Sequence, residues 1–133
     1  MEVASLTRKY SQAIPRYTSY PTVPQWHDWQ NTALWEAQLR AMAMRGLPKE
    51  GIAVYIHLPF CEHLCTYCGC NKKITTNHGV ESPYIQRIIQ EWLLYVSAFR
   101  GQTISIRELH LGGGTPTFFS PTHLTALLEG IFQ

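Results

Sequence analysis

No cysteine lies outside residues 61–70, and no apolar run approaches the ~18 residues needed to cross a bilayer. The longest such run, around "GIAVYIHLPF", falls well short. Charge is sparse too, with 11 Lys and Arg against 9 Asp and Glu and a net charge of +2. So weak a basic excess gives no footing for a nucleic-acid or anionic-membrane surface. The opening stretch, "MEVASLTRKYSQAIPRYTSYPT", lacks the apolar segment of a cleavable secretion signal. Internal repeats and low-complexity tracts are missing as well. These absences predict a cytoplasmic globular chain whose partners are neither nucleic acid nor membrane. In a reducing compartment, clustered thiols serve metal binding or catalysis rather than disulfides.

What is present is ordinary globular material, 45% apolar over 133 residues, enough for one modest core. Residues 1–30 carry Pro15, Pro21 and Pro24 among Tyr10, Tyr17, Tyr20, Trp26 and Trp29, which reads as a packed aromatic arm. A helix is expected from Thr32 to Arg45, ended by Gly46 and Pro48. Ile52–Leu58, short and partly β-branched, reads as a buried strand. Ser82 and Pro83 look like a cap and first turn. From there Ile85, Ile88, Ile89, Trp92, Leu93, Val96 and Phe99 keep helical spacing, and Gly101 ends the run. A second strand is expected from Ile104 to Leu111. Ser120-Pro121 then repeats the cap signal before a helix from Thr122 to Phe132. The order strand, loop, helix, strand, loop, helix predicts parallel pairing with helical crossovers. Two parallel strands alone make a poor sheet, so the chain reads as the front end of a longer protein.

All four thiols stand in "CEHLCTYCGC": Cys61, Cys65 and Cys68 are spaced C-x3-C-x2-C, and Cys70 follows. Soft sulfur donors suit iron–sulfur clusters, copper(I) or zinc. Structural zinc ordinarily takes two ligand pairs a dozen or more residues apart, and no second pair exists here. His57, His63 and His78 sit at none of the usual zinc offsets, although a zinc knuckle still competes on spacing. Buried, unligated cysteines are the plainer alternative. After the second strand, "LHLGGGTPT" supplies glycines that let backbone approach a ligand. It is no P-loop, since no Gly-Lys-Ser/Thr follows. Both loops leave the carboxyl ends of consecutive strands, where parallel α/β folds bind ligands.

With its aromatic before the third cysteine, "CEHLCTYC" directly after a strand resembles the radical S-adenosylmethionine superfamily. That resemblance implies a [4Fe–4S] cluster held by Cys61, Cys65 and Cys68, with one iron left open for S-adenosylmethionine. It also implies Tyr67 beside the adenine and Gly113, Gly114 and Thr115, with Gly112, around the methionine amino group. "PRYTSYPT", "VYIHLPFC" and "CGCNK" narrow the likeness to the oxygen-independent coproporphyrinogen III oxidase family, over essentially the whole chain. In that family Tyr55 lines the cofactor site; read from the residues alone, it equally suits a core aromatic. His57 reads as a hydrogen-bonded strand-end histidine or a second-choice site residue.

The implied activity is oxidative decarboxylation of two propionates of coproporphyrinogen III to vinyl groups, with electrons from a donor such as flavodoxin or ferredoxin. A haem chaperone on the same fold and a small zinc module are the rival readings. Arg16, in the arm, is a candidate partner for a substrate carboxylate. The expected architecture is α/β: an N-terminal arm and helix over 1–50, then over 51–133 the first two βα units of a partial (β/α) barrel.

Overall fold

The computed structural model of the protein describes residues 3–11, 25, 31–99 and 101–133. The stretch Pro15–Thr22 and the residues Arg16, Trp26 and Trp29 singled out above lie outside the described residues. The chain divides into two compact units, Met1–Asn31 and Thr32–Gln133. In the first, the helix α1 spans Val3–Tyr10, with Arg8 and Lys9 in its last turn, where cations favour the helix dipole.

The second unit begins with α2, Thr32–Arg45, the span expected from the sequence. Gly46 follows at φ 87°, the left-handed conformation that a helix-ending glycine supplies. α2 is counted with this second unit because it packs on the next helix. Its terminus is also tied down where the Gln102 side chain donates to the Ala43 carbonyl at 2.7 Å.

Strand β1 runs Ile52–Leu58 and pairs in parallel with β4, Ile106–Gly113. Tyr55 lies opposite His110, His57 opposite Gly112 and Leu58 opposite Gly113. β4 extends two residues beyond the Leu111 expected from the sequence, so the first two glycines of the GGG run belong to the ladder. Two short strands go unannounced in the sequence: β2, Phe60–Cys61, pairs with β3, Lys73–Ile74. They close the base of the cysteine loop. The pair is further tied where Lys73 N donates to Pro59 O at 2.8 Å and Thr75 N to Cys61 O at 2.9 Å.

The strand expected to be buried is buried on one face. Ile56, Leu58 and Phe60 are buried whereas Ala53 and Tyr55 are exposed, the alternation of a sheet covered on one side. The covering helices are α3, Glu81–Ala98, and α4, Pro121–Phe132. Ile85 from α3 and Leu127 and Ile131 from α4 join Ile56, Leu58, Phe60, Phe118 and Phe119 in one core. Trp92 Nε1 donates to Ile131 O at 3.1 Å, joining the two helices. Leu93, counted in the apolar stripe, is 55% exposed because it lies beside the stripe rather than in it.

The start of α3 also differs from expectation. Asn77 caps a short 3-10 turn, His78–Val80, by accepting from Gly79 N at 2.9 Å, and this turn runs straight into the helix. Ser82 therefore lies inside the first turn and caps nothing. At α4 the expected cap is present: the Ser120 hydroxyl accepts from His123 N at 3.3 Å, with Pro121 first in the helix. Among the described residues no helix is long and apolar enough to cross a membrane.

Candidate functional site

The two loops of interest leave the carboxyl ends of β1 and β4 side by side, because parallel strands put the same end of each on the same edge. Beyond the ladder, Gly114 N donates to Leu58 O at 2.7 Å and Thr115 N to Phe60 O at 3.0 Å. A Cβ on Gly114 would stand 2.6 Å from the Pro59 carbonyl carbon and 2.7 Å from Phe60 O. Both are backbone atoms, so no side chain is admissible there without moving the loops apart. Gly113 has φ 105° and a Cβ there would meet the His57 ring at 2.5 Å. The glycines thus serve close approach, and the approach brings the Thr115 hydroxyl to 3.3 Å from the sulfur of Cys61, to which it donates.

His57 bridges strand and cysteine loop. Its Nε2 lies 2.8 Å from the Asn71 carbonyl oxygen, which only accepts, so the ring proton is on Nε2. Nδ1 is then the acceptor for the Tyr55 hydroxyl at 3.2 Å. Tyr55 stacks on His110 across the ladder, rings 5.6 Å apart and 16° from parallel. It is an outward-facing residue, 56% exposed, rather than the core aromatic the residues alone allowed. A groove of about 510 Å³ opens along β1, lined by Tyr55, His57, Tyr84, Glu91, Trp35 and others, and holds none of the cysteines or the glycines of the GGG run.

All four cysteines are free thiols, Cys65 and Cys70 exposed and Cys61 and Cys68 half-buried. Cys68 N donates to Cys65 O at 3.1 Å, a turn that keeps these two on one short arc. Tyr67, within that arc, is 87% exposed. Among the described residues no three His, Cys, Asp or Glu side chains converge as a ready ligand set. The structure therefore joins Cys61, Gly114 and Thr115 on one side and Tyr55, His57 and Gly113 on the other. It does not gather the sulfurs of Cys61, Cys65 and Cys68 at one point, and Tyr67 stands out in solvent. In donor type the residues fit an iron–sulfur cluster: the soft sulfurs of three cysteines, none in a disulfide, stand on one short loop.

One residue beside this site escaped the sequence. Glu81 is only 2% exposed, yet carries a carboxylate. Its Oε1 is 2.6 Å from His78 Nδ1, and its Oε2 accepts from Ser120 N at 2.8 Å and lies 2.7 Å from His123 Nδ1. Burial pushes its pKa up, but the Ser120 amide and the two imidazoles outweigh that and hold it at about 2. His78 in turn lies 3.4 Å from Glu62, the neighbour of Cys61, and stacks on Phe118 with rings 4.5 Å apart. Glu81 thus clamps the start of α4 and, through His78, the start of the cysteine loop. An acidic residue before Ser-Pro carries no burial signal, since two of its three partners come from 39 and 42 residues along the chain.

No family model matches the chain. The oxygen-independent coproporphyrinogen III oxidase of Pseudomonas aeruginosa is 41% identical over 126 residues, 95% of this chain and 26% of its own length. That of Mannheimia haemolytica is 32% identical over 125 residues, 94% of this chain and 81% of its own sequence. Among solved structures, coproporphyrinogen III oxidase from Escherichia coli, a radical SAM enzyme, superposes with a TM-score of 0.69 at 30% identity, covering 96% of this chain and 26% of that one. The chain spans about a quarter of the length of the Pseudomonas relative.

Proposed function

This chain belongs to the oxygen-independent coproporphyrinogen III oxidase family, and we propose that it carries the cluster loop and part of the cofactor cradle of such an enzyme. The substrate is coproporphyrinogen III and the reaction the oxidative decarboxylation of two propionates to vinyl groups. When bound, a [4Fe–4S] cluster and S-adenosylmethionine supply the radical chemistry. Cys61, Cys65 and Cys68 hold the cluster. Gly113, Gly114 and Thr115 form the cradle for S-adenosylmethionine, and Tyr55 and Tyr67 flank it. Residues 51–133 form the start of the radical SAM core. Electrons come from a small donor such as flavodoxin or ferredoxin, and the setting is cytoplasmic, where thiols stay reduced.

The observation that carries this reading is the meeting of the two loops. Gly114 N to Leu58 O at 2.7 Å and Thr115 Oγ1 to Cys61 Sγ at 3.3 Å join a three-cysteine loop to a Cβ-free backbone turn at the same strand ends. The Cβ-free turn lets the two loops meet backbone to backbone, and the sulfur it reaches belongs to the first cysteine of the motif. His57 acts by holding the far end of the cysteine loop to β1.

Anaerobic reconstitution of the intact protein with iron and sulfide tests the proposal. A brown protein is expected whose reduced EPR signal changes on adding S-adenosylmethionine, with the colour lost in Cys65→Ala. A colourless protein that holds zinc instead overturns it in favour of a zinc module. Stable haem binding without conversion of coproporphyrinogen III identifies the chaperone-like alternative.

A further inference from the structure

We propose that Thr115 is a positioning residue for the electronics of the site: its hydroxyl donates to the Cys61 sulfur when that cysteine ligates the cluster, and so raises the cluster's reduction potential. This rests on the cluster reading above and adds a role distinct from contact with S-adenosylmethionine.

The contact is built into the backbone rather than left to a free side chain. Thr115 precedes Pro116, which disfavours the helical region for it, and its φ of −113° and ψ of 100° are extended. Its N–H is held by Phe60 O at 3.0 Å, and its carbonyl accepts from Phe118 N at 2.9 Å. Both of its neighbouring peptide units are therefore pinned. β-branching leaves χ1 few choices, and the one adopted aims Oγ1 at Cys61, 3.3 Å away. Cys61 is equally fixed, lying in β2 opposite Ile74 with its carbonyl accepting from Thr75 N at 2.9 Å. Among the described residues, no side chain donates to the sulfur of Cys65 or Cys68, so Thr115 makes the three ligand positions unequal.

A donor to a ligating thiolate draws off negative charge. It stabilises the reduced cluster, which carries one more electron, more than the oxidised one. Loss of the donor therefore moves the potential to more negative values and makes the cluster harder to reduce.

The test is an EPR-monitored redox titration of the intact, reconstituted protein without S-adenosylmethionine, comparing wild type, Thr115→Ser and Thr115→Val. Serine keeps the hydroxyl, and valine is close to isosteric and lacks it. Valine is expected to shift the midpoint negative while serine stays near wild type, and the iron–sulfur stretching bands in resonance Raman spectra should move with it. If the valine protein does not load, Thr115→Ala removes the same hydroxyl without the second methyl. Equal midpoints in wild type and the hydroxyl-free variant overturn the proposal. So does a difference that appears only after S-adenosylmethionine is added, since Thr115 would then act through that cofactor. A wild-type protein that takes up no cluster refutes the functional reading itself, a result distinct from both.

Discussion

Glu81 shows how much one residue can hold. With its folded pKa depressed to about 2, its contribution to stability is present above the unfolded value of 4.5 and is lost as pH falls from there through 2. His78 has the opposite sign: the hydrogen bond to Glu81 raises its pKa above 6.5, so its share is full below that value and lost at higher pH. Melting temperature should thus peak in the weakly acidic range. In Glu81→Gln the acid limb between pH 4.5 and 2 should flatten, with a loss of roughly 1–3 kcal/mol near neutrality as the charged bonds go. Calorimetry across pH checks this; an unchanged acid limb would show that the carboxylate does not carry the effect. The glycines give a second contrast. Gly114→Ala presses a methyl onto backbone 2.6 Å away and should cost about 1–3 kcal/mol. At Gly46 an added Cβ meets nothing within 4 Å, so Gly46→Ala carries only the left-handed backbone strain of about 1–2 kcal/mol. Chemical denaturation of both variants measures the difference, and only Gly114→Ala should also impair cluster uptake.

At the level of elements, stability rests on the one covered face of the β1–β4 pair. Leu127 is fully buried among sheet and α3 residues, so Leu127→Ala should lose about 2–5 kcal/mol with no change in denaturant m-value. Ser120→Ala removes the α4 cap and should cost roughly 1 kcal/mol, seen as a smaller fall in the denaturation midpoint. The capping signals also mark how far local pattern reads. Ser120-Pro121 acts as its residues suggest because nothing else competes for the first turn of α4. Ser82-Pro83 does not, because Asn77 starts the turn earlier and hands it directly to Glu81. β2 and β3 are two residues each, too short to carry a period, and form only because Pro59 and Cys61 carbonyls meet Lys73 and Thr75 amides.

For the molecule as a whole, the thiols stand outside the core, so the proposed cluster and the fold are separable. Removing iron by chelation should leave the helical signal of the β1–β4, α3 and α4 core in place while freeing residues 62–72. Tryptic cleavage at Lys72 and Lys73 should then rise several-fold over the loaded protein, mapped by mass spectrometry. Equal cleavage with and without iron would mean the loop takes no order from metal.

Chain order, the strand at Ile52–Leu58, the helix at Thr32–Arg45, the parallel pairing and the placement of "CEHLCTYC" and "GGGTPT" at the ends of consecutive strands are legible in local pattern. Periodicity, caps and donor softness are properties of neighbours along the chain. Which strand face is covered, that Glu81 meets Ser120 and His123, that His57 reaches Asn71 and that Thr115 reaches Cys61 depend on residues 14 or more positions apart. Those pairings carry no period and no spacing rule. They follow from hydrogen bonding and close packing after the parallel crossover has set both loops at one edge, and only the folded chain decides them.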